Sequence, residues 1–321
     1  MARAFWNRAV AAASGPRRIA LALQGGGSHG AFTWGVLDRL LEENQLEIAA
    51  ASGASAGAIN AALLATGLAD GGRSAARDTL RLFWEQLGRM APASPTGLGI
   101  PALRMLTQWF SPLQWNPLDL NPLRDLVAKS IDFDRLREPK SIKLFIAATR
   151  VDTGKLRIFH SDEMTCDALL ASACLPWLHH TIDIDGVAYW DGGLTANPPL
   201  YSLIDHTDVD DLVIVAMHPH CRQIAPSSAA EIASRVSEIS FTSAFFAEFQ
   251  GVLTAQRTAR RQWLPIGSMV RRLRRLRLHV IDGGDLTARI PAASRMDVSR
   301  SFTDSLFDHG RARAQDWLDQ R

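Results

Sequence analysis

The sequence predicts an α/β fold, in which helices cover the faces of a mostly parallel sheet. Three features of the chain lead to this prediction. Short apolar runs such as IALAL (residues 19–23) have the composition of buried parallel strands. Glycine-rich turns follow the first two strands, in GGGSHG (25–30) and GASAG (53–57). Segments with apolar residues every three or four positions come next, as expected of amphipathic helices.

The first elements are two strand–helix pairs. Residues 19–23 form the first strand, and HGAFTWGVLDRLLEEN (29–44) forms the first helix. Residues 47–51 form the second strand, which a serine turn joins to the helix AINAALLATGLA (58–69). The uncharged stretch 48–69 is long enough to cross a bilayer, but its many Ala, Gly, Ser, Thr and Asn residues insert weakly. We therefore interpret it as a buried strand, a turn and a core helix.

The later elements follow from the same patterns. Strands are expected at IKLFIAATR (142–150), LRIFH (156–160), DLVIVAMH (211–218) and LRLHVID (276–282), and helices at 163–173, 229–262 and 301–320. Asp185 and Gly186 predict the turn of a β-hairpin that leads into DGG (191–193).

We expect one domain at residues 18–321, preceded by an N-terminal extension at 1–17. Residues 229–321 supply its C-terminal helices and last strand. The segment 91–122 carries six prolines and three large aromatic residues. A long irregular stretch of this kind is either a cap over a site or a packed surface loop.

Composition and charge narrow the class of protein. The net charge of +2 gives no reason to expect a polyanionic partner, and 321 residues can form a core without metals or disulfides. The cysteines at 166, 174 and 221 lack metal-binding spacing, so we expect reduced thiols in a cytoplasmic protein. Because Arg8 interrupts the N-terminal apolar run, we expect neither a signal peptide nor a transmembrane helix.

Three glycine-rich turns, at 25–30, 53–57 and 191–193, are predicted to meet where the strands end. Ligands of open parallel sheets bind at that edge. Ser55 lies in a Gly-x-Ser-x-Gly turn before a helix, in the field of the positive end of the helix dipole. The backbone N–H groups of Gly25, Gly26 and Gly27 are candidates to bind the oxyanion of a tetrahedral intermediate.

The motifs alone leave two questions open. GGGSHG also fits the dinucleotide-binding fingerprint Gly-x-Gly-x-x-Gly. A dinucleotide site needs an acidic residue at the end of the second strand, whereas Glu47 lies at the start of that strand. The base for Ser55 is either Asp191 alone or a histidine, in a triad of Ser55, Asp191 and His218 or His220. The triad order belongs to a fold with several strands before the nucleophile, and here only one strand precedes it.

These motifs together resemble the patatin-like phospholipase family. The resemblance rests on GGGSHGAFTWGVL (25–37), GASAGAINA (53–61), IAATRVDTGK (146–155) and ALLASACLPWLHHTIDIDGVAYWDGGLTANPPL (168–200), and it covers roughly residues 18–217. It implies a three-layer α/β/α fold and a Ser–Asp dyad that works without histidine. Its nucleophile would be Ser55 and its base Asp191.

The resemblance also places the oxyanion hole on the backbone of residues 25–27, with Ser28 as a further member. The other motif positions flank the site: His29, Gly30, Gly53, Gly57, Gly192 and Gly193. The family usually has Arg or Lys where this chain has His29, which is cationic only part of the time near neutral pH. Either His29 points away and only backbone donors act, or it adds pH dependence. Asn197 is interpreted as a turn former before proline.

A basic segment predicts a partner surface. Residues 257–281 contain no acidic residue and eight arginines: Arg257, Arg260, Arg261, Arg271, Arg272, Arg274, Arg275 and Arg277. Such a cluster either binds an anionic membrane surface or is a solvated face. No aromatic–basic reading module is present, so no nucleic-acid partner is expected.

The sequence therefore predicts a cytoplasmic, peripherally membrane-associated serine acyl hydrolase that cleaves phospholipids or related lipid esters. Its chemistry needs no metal and no organic cofactor. Two alternatives remain. One is an esterase for another acyl substrate, such as a lysophospholipid or a storage polyester, and the other is a catalytically silent membrane-binding protein of the same fold.

Overall fold

The computed structural model describes residues 15–90, 111–217, 225–264, 266–284, 286, 290 and 292–320. The strands of this part are β1 (Arg17–Leu23), β2 (Leu46–Gly53), β3 (Lys143–Arg150), β4 (Leu156–His160), β5 (Ile182–Ile184), β6 (Val187–Asp191), β7 (Asp211–Ala216) and β8 (Arg277–Asp282). They form one sheet in the order β5-β6-β3-β2-β1-β7-β8, and β4 pairs with β3 outside this path.

Helices surround this sheet. Those of the described part are α1 (Gly30–Leu41), α2 (Ala56–Arg89), α3 (Pro112–Trp115), α4 (Pro122–Ser130), α5 (Phe133–Leu136), α6 (Cys166–Ser172), α7 (Tyr201–His206), α8 (Ala229–Arg261), α9 (Ser268–Arg275) and α10 (Arg300–Asp319). Short 3₁₀ turns occupy residues 27–29, 161–163, 192–194 and 292–296.

The sheet separates two apolar layers, as the alternation of side chains along β1 shows. Ile19, Leu21 and Leu23 belong to the core cluster that includes residues of α1, α2 and α10. Ala20 and Ala22 belong to the cluster on the other face, with residues of α7 and α8. Because successive side chains of a strand point to opposite faces, β1 is buried on both. The predicted α/β fold, with a mostly parallel sheet between helical layers, is confirmed.

The centre of the sheet is parallel, and β3 is where the pattern changes. Strands β3, β2, β1, β7 and β8 pair in parallel, whereas β4 and β6 each pair with β3 antiparallel. Strand β2 pairs with one edge of β3, and its last pair is Gly53 with Ile146. Farther along the same edge of β3, strand β6 pairs instead, and its first pair there is Asp191 with Ala148. Two residues of β3, or about 7 Å, therefore separate the partners of Gly53 and Asp191.

Each of the three glycine-rich turns follows the end of a strand, as predicted, although β6 runs antiparallel to β3. It reaches the site because it runs back toward the end of β2 and stops there. Its hairpin turn is as predicted, since Asp185 and Gly186 both have positive φ, at 54° and 76°.

Helix α2 is longer than predicted. It continues past residue 69 to Arg89 across a kink at Gly71 and Gly72, where the backbone is not helical. Of the segment 91–122, residues 91–110 lie outside the described part, and residues 111–122 contain the short helix α3. Residues 1–14 of the predicted N-terminal extension also lie outside it. Among the described helices, none is long and apolar enough to cross a membrane.

Candidate active site

Ser55 lies at the turn between β2 and α2, where it precedes the first residue of the helix. Its backbone has φ 55° and ψ −128°, a conformation that residues with a side chain rarely adopt. The Ser55 N–H donates to Ser172, to the carbonyl oxygen and to Oγ, both at 3.0 Å. The turn is thus strained, held from α6, and placed at the positive end of the α2 dipole.

Two glycines allow this turn to sit against the glycine loop. A Cβ at Gly57 would lie 2.1 Å from the carbonyl oxygen of Leu23, so the start of α2 crosses β1 closely. A Cβ at Gly25 would lie 2.3 Å from the carbonyl oxygen of Ala54 and 2.7 Å from Cβ of Ser55. The GGGSHG loop therefore packs directly on the serine turn, and only glycine fits at these contacts.

Asp191 ends β6 and is fully buried. Its Oδ1 accepts a hydrogen bond from the Gly193 N–H at 2.7 Å, and its backbone N–H donates to the Cys174 carbonyl at 2.8 Å. Thr149 Oγ1 donates to its carbonyl oxygen at 2.8 Å. Two of these bonds fix the backbone of Asp191, and the Gly193 N–H orients its carboxylate.

The environment of Asp191 changes its pKa. Burial disfavours the charged form and raises the pKa to about 7, although hydrogen bonds from the Gly193 N–H and the Ser55 side chain lower it in part. A carboxylate with a pKa near neutrality is a much better proton acceptor than an ordinary aspartate.

Ser55 and Asp191 are neighbours, but their hydrogen bond is not fully formed. The Ser55 side chain is close enough to lower the pKa of Asp191 by hydrogen bonding. Nevertheless, Oδ2 of Asp191 is buried, and no atom in the described part of the chain makes a well-aligned hydrogen bond with it. Catalytic hydrogen bonds are commonly long or poorly aligned until substrate binds, and we interpret the pair in that way.

The glycine loop is more specialised than its sequence suggested. The Gly25 N–H donates to Oδ1 of Asn197 at 2.6 Å, so it is committed to the protein and is not a free oxyanion donor. Within the described residues, the N–H groups of Gly26 and Gly27 make no hydrogen bond. The Ser28 N–H is likewise without a hydrogen bond within the described residues, so the candidate oxyanion donors are Gly26 and Gly27, with Ser28 as a further member.

Asn197 has a larger role than the turn-forming one we expected. It is fully buried, and its Nδ2 donates to the carbonyls of Gly25 at 3.3 Å and Phe241 at 3.1 Å. Its side chain thus links the glycine loop, the DGG turn and helix α8. The motif TANPPL shows where Asn197 lies, but no pattern in the sequence showed that its amide reaches back across 172 residues.

Ser28 and His29 point toward a C-terminal turn. Ser28 Oγ donates to the Ser294 carbonyl at 2.9 Å, and His29 Nε2 lies 2.8 Å from Ser294 Oγ. The His29 ring also packs on Phe302, with ring centroids 5.9 Å apart. These contacts attach the glycine loop to residues 292–296 and α10.

No metal site emerges from the described residues, where no three His, Cys, Asp or Glu side chains gather as ligands. The alternative bases His218 and His220 lie outside the described part of the chain, as does Cys221. The dinucleotide interpretation has no support in the geometry. The loop that would cradle a pyrophosphate packs on Ser55, and β2 ends in the serine turn rather than in an acidic residue.

Comparison with known proteins identifies the family of this chain. The family model described as patatin-like phospholipase matches residues 21–204, more than half of the chain and all three glycine-rich turns. The chain belongs to this family. Patatin-like phospholipases are lipid hydrolases, and the predicted resemblance is confirmed.

Two solved structures show a distant likeness to this chain. VipD from Legionella pneumophila matches with 15% identity and a TM-score of 0.46, over 96% of this chain and 67% of that one. A chain of the complex of SpcU with ExoU, from the type III secretion system of Pseudomonas aeruginosa, matches with 16% identity and a TM-score of 0.35. That match covers 94% of this chain and 54% of the other. No curated protein matches the chain.

The arginine cluster of this patatin-like protein is divided by the fold. Arg272, Arg275 and Arg277 form ion pairs with Asp208, Asp210 and Asp211, which precede or begin β7. Their charge is therefore balanced locally. The apolar stretch before the cluster packs in the core, where Phe241, Phe245 and Val252 are buried.

Proposed function

We propose that this patatin-like protein is a serine acyl hydrolase that cleaves ester bonds of phospholipids with Ser55 and Asp191 as its catalytic dyad. One observation carries the proposal. The strained serine turn lies beside a fully buried carboxylate that has a pKa of about 7 and, within the described residues, one oxygen without a well-aligned hydrogen-bond partner. Such an arrangement provides a nucleophile next to a base whose pKa is near neutral pH.

In the first half of the reaction, Ser55 Oγ attacks the ester carbonyl while its proton moves to Oδ2 of Asp191. The carbonyl oxygen becomes an oxyanion, which the N–H groups of Gly26 and Gly27 bind. Protonated Asp191 then gives this proton to the departing alcohol, and the acyl group remains on Ser55. One oxyanion donor of this kind lowers the barrier by about 3 kcal/mol in other enzymes.

In the second half, Asp191 accepts a proton from a water molecule that attacks the acyl-serine. The same N–H groups bind the second oxyanion. Its collapse breaks the ester to Ser55, whose oxygen recovers the proton from Asp191, and the fatty acid leaves. The burial of Asp191 supports both halves, because the neutral acid formed in each step is the form that its surroundings favour.

The role of His29 in this mechanism is structural. Its contacts with Ser294 and Phe302 favour the interpretation in which only backbone donors stabilise the oxyanion. We propose that His29 and Ser28 hold the glycine loop to residues 292–296, so that the N–H groups of Gly26 and Gly27 stay oriented.

A labelling experiment tests the nucleophile and the base. The wild-type protein should react with a fluorophosphonate and release fatty acid from phosphatidylcholine, whereas Ser55→Ala should do neither. Asp191→Asn should lower hydrolysis by at least about 10³-fold. The matched controls are Ser74→Ala, on the exposed face of α2, and Asp185→Asn, in the exposed hairpin turn next to β6.

The outcomes separate the alternatives. Labelling of Ser55 with hydrolysis of lysophospholipid or a polyester, but not of phospholipid, would indicate another acyl substrate. A folded protein whose Ser55 does not react would support a catalytically silent relative.

A second experiment distinguishes the dyad from a triad. Replacing His218 and His220 together by Gln should leave most of the activity, because Asp191 is placed to accept the proton itself. A loss as large as that of Ser55→Ala would show instead that a histidine is the base.

A further inference from the structure

A short loop between α8 and α9 carries the most exposed large apolar side chains of the described residues at this end of the molecule. Trp263 is 90% exposed, Ile266 79% and Leu264 60%. Near these side chains, Arg274 donates to the Gln262 carbonyl at 3.1 Å and the Ile266 N–H to the Leu264 carbonyl at 2.9 Å. We call Trp263, Leu264 and Ile266 the apolar tip. Large apolar side chains that are exposed together indicate a surface that another phase covers.

Basic side chains surround the apolar tip. Arg257, Arg260 and Arg261 end α8, and Arg271 lies in the first turn of α9; all four are exposed. Unlike Arg272, Arg275 and Arg277, they form no ion pair with an acidic side chain in the described part of the chain. We call these four residues the basic ring. Their unbalanced charge selects an anionic partner.

The exposed side of α8 continues this surface toward the active site. Its outward residues recur every three or four positions, and none is acidic: Ile232, Val236, Ile239, Ser243, Ala247, Gln250, Thr254, Arg257 and Arg261. At 100° per residue they share one face of the helix. This outer stripe is apolar at its start, small and polar in the middle, and basic where it meets the apolar tip.

We propose that the apolar tip, the basic ring and the outer stripe of α8 together bind the surface of an anionic phospholipid membrane. Trp263, Leu264 and Ile266 enter the headgroup level, and the basic ring pairs with lipid phosphates. Tryptophan prefers this depth because its ring is apolar and its N–H is polar. The proposal goes beyond the proposed function, since surface binding does not require Ser55.

Helix α8 also connects this surface to the candidate active site. Phe241, whose carbonyl accepts from Asn197, lies twenty residues before Arg261, or roughly 30 Å along α8. Helix α8 therefore lies along the membrane rather than perpendicular to it. The part of α8 around Phe241 is next to the site, and the apolar tip contacts the membrane at the far end.

Vesicle sedimentation tests this surface. Wild-type protein is mixed with vesicles of phosphatidylcholine alone, or of phosphatidylcholine with phosphatidylglycerol, at low and high salt. We expect strong binding only to the anionic vesicles, weakening as salt rises. Arg257→Gln with Arg261→Gln should lower the partition coefficient about 25-fold, or about fivefold per arginine. Trp263→Ala with Ile266→Ala should lower it by roughly tenfold or more.

Matched controls come from the exposed face of α2. Leu82 is 47% exposed and the Arg89 side chain 74%, so Leu82→Ala and Arg89→Gln remove the same chemistry elsewhere and should leave binding unchanged. Quenching by brominated phospholipids gives a second readout. The quenched part of the tryptophan fluorescence should be smaller in Trp263→Phe than in the wild type.

Each outcome bears on the proposal separately from the proposed function. Hydrolysis of a water-soluble short-chain ester without vesicle binding would overturn the membrane proposal and leave the hydrolase intact. Binding by Ser55→Ala would support the membrane proposal whatever the activity. Equal binding to neutral vesicles, or preferential binding to duplex DNA, would overturn it.

Discussion

At the residue scale, the site depends on a carboxylate kept at an unusual pKa by its surroundings. Asp191 receives a single N–H hydrogen bond at Oδ1, whereas an aspartate with an ordinary or lowered pKa is solvated or paired with cations. Asp211 in the same protein shows the contrast. Burial would raise its pKa as well, but hydrogen bonds from Arg277, Arg17 and His279 lower it well below the usual range.

We expect the activity to rise with pH through about 7. Asp191 accepts the serine proton only when ionised, so kcat/KM should fall about tenfold per pH unit below its pKa of about 7. The measurement is hydrolysis of a soluble ester between pH 5 and 9. A flat profile down to pH 5 would show that Asp191 keeps an ordinary pKa.

The same pKa predicts an effect on stability. A carboxyl whose folded-state pKa is raised stabilises the fold while protonated, and this contribution is lost as pH rises through about 7. Asp191→Asn removes the buried charge, so it should be more stable than the wild type at pH 8, by on the order of a few kcal/mol. The difference should shrink at pH 5, and thermal unfolding at the two values measures it.

Backbone strain at Ser55 gives a second stability prediction. Its φ of 55° with ψ of −128° suits glycine and disfavours any Cβ. Ser55→Gly should therefore be more stable than Ser55→Ala by roughly 1 kcal/mol, although neither variant has a nucleophile. Urea unfolding of the two inactive variants compares them directly, and equal midpoints would mean that the turn relaxes without cost.

At the element scale, the glycine loop and the serine turn behave as one unit. Gly25→Ala would place a Cβ against Ala54 and Ser55, at 2.3 and 2.7 Å, so one of the two turns must move. We expect activity to fall at least about 100-fold, because a displacement near 1 Å has effects of that size. Gly15→Ala, with nothing near its Cβ, is the control and should retain activity.

The sequence predicted these elements better than it predicted their directions. Apolar runs located β1, β2 and β7, because buried parallel strands are apolar along most of their length. The direction of β6 was not predicted, since a hairpin pattern does not say which neighbouring strand it joins. Helix α2 was predicted too short because the Gly71–Gly72 pair resembles a helix end, although the chain resumes helical geometry after it.

At the scale of the whole molecule, ion pairs join the strands at the edge of the sheet opposite the site. Asp211 begins β7 and pairs with Arg17 of β1 and with Arg277 and His279 of β8. These three parallel strands are thus joined at their starts. Asp211→Asn should lower the free energy of unfolding by roughly 1–3 kcal/mol, because it leaves two guanidinium groups without their partner.

Urea unfolding at neutral pH measures this effect. Asp208→Asn is the matched control, since its carboxylate is 97% exposed and its ion pair with Arg272 is long, at 3.5 Å. The Asp211 contribution is present at neutral pH, because its pKa is lowered on folding, and it should be lost only in acid. An Asp211→Asn variant as stable as the control would mean that solvent screens the cluster.

Across the whole molecule, the sequence predicted contacts within motifs but not contacts between distant segments. Ser55 and Asp191 were found because glycine spacing marks them locally. The amide of Asn197 at Gly25 and the ion pairs of Arg272, Arg275 and Arg277 depend on which elements become neighbours. The exposure of Trp263 was not predicted either, because the sequence alone does not show whether a tryptophan lies in the core or on the surface.

The shared edge of β3 has a consequence for how this protein can be inactivated. Strand β6 delivers its last residue to the serine only while its pairing with β3 stays in register. A slip of two positions would present Tyr189 or Gly193 in place of the acid without altering any residue of the dyad. In the proposed mechanism, the register of β6 on β3 therefore matters as much as the identity of residue 191.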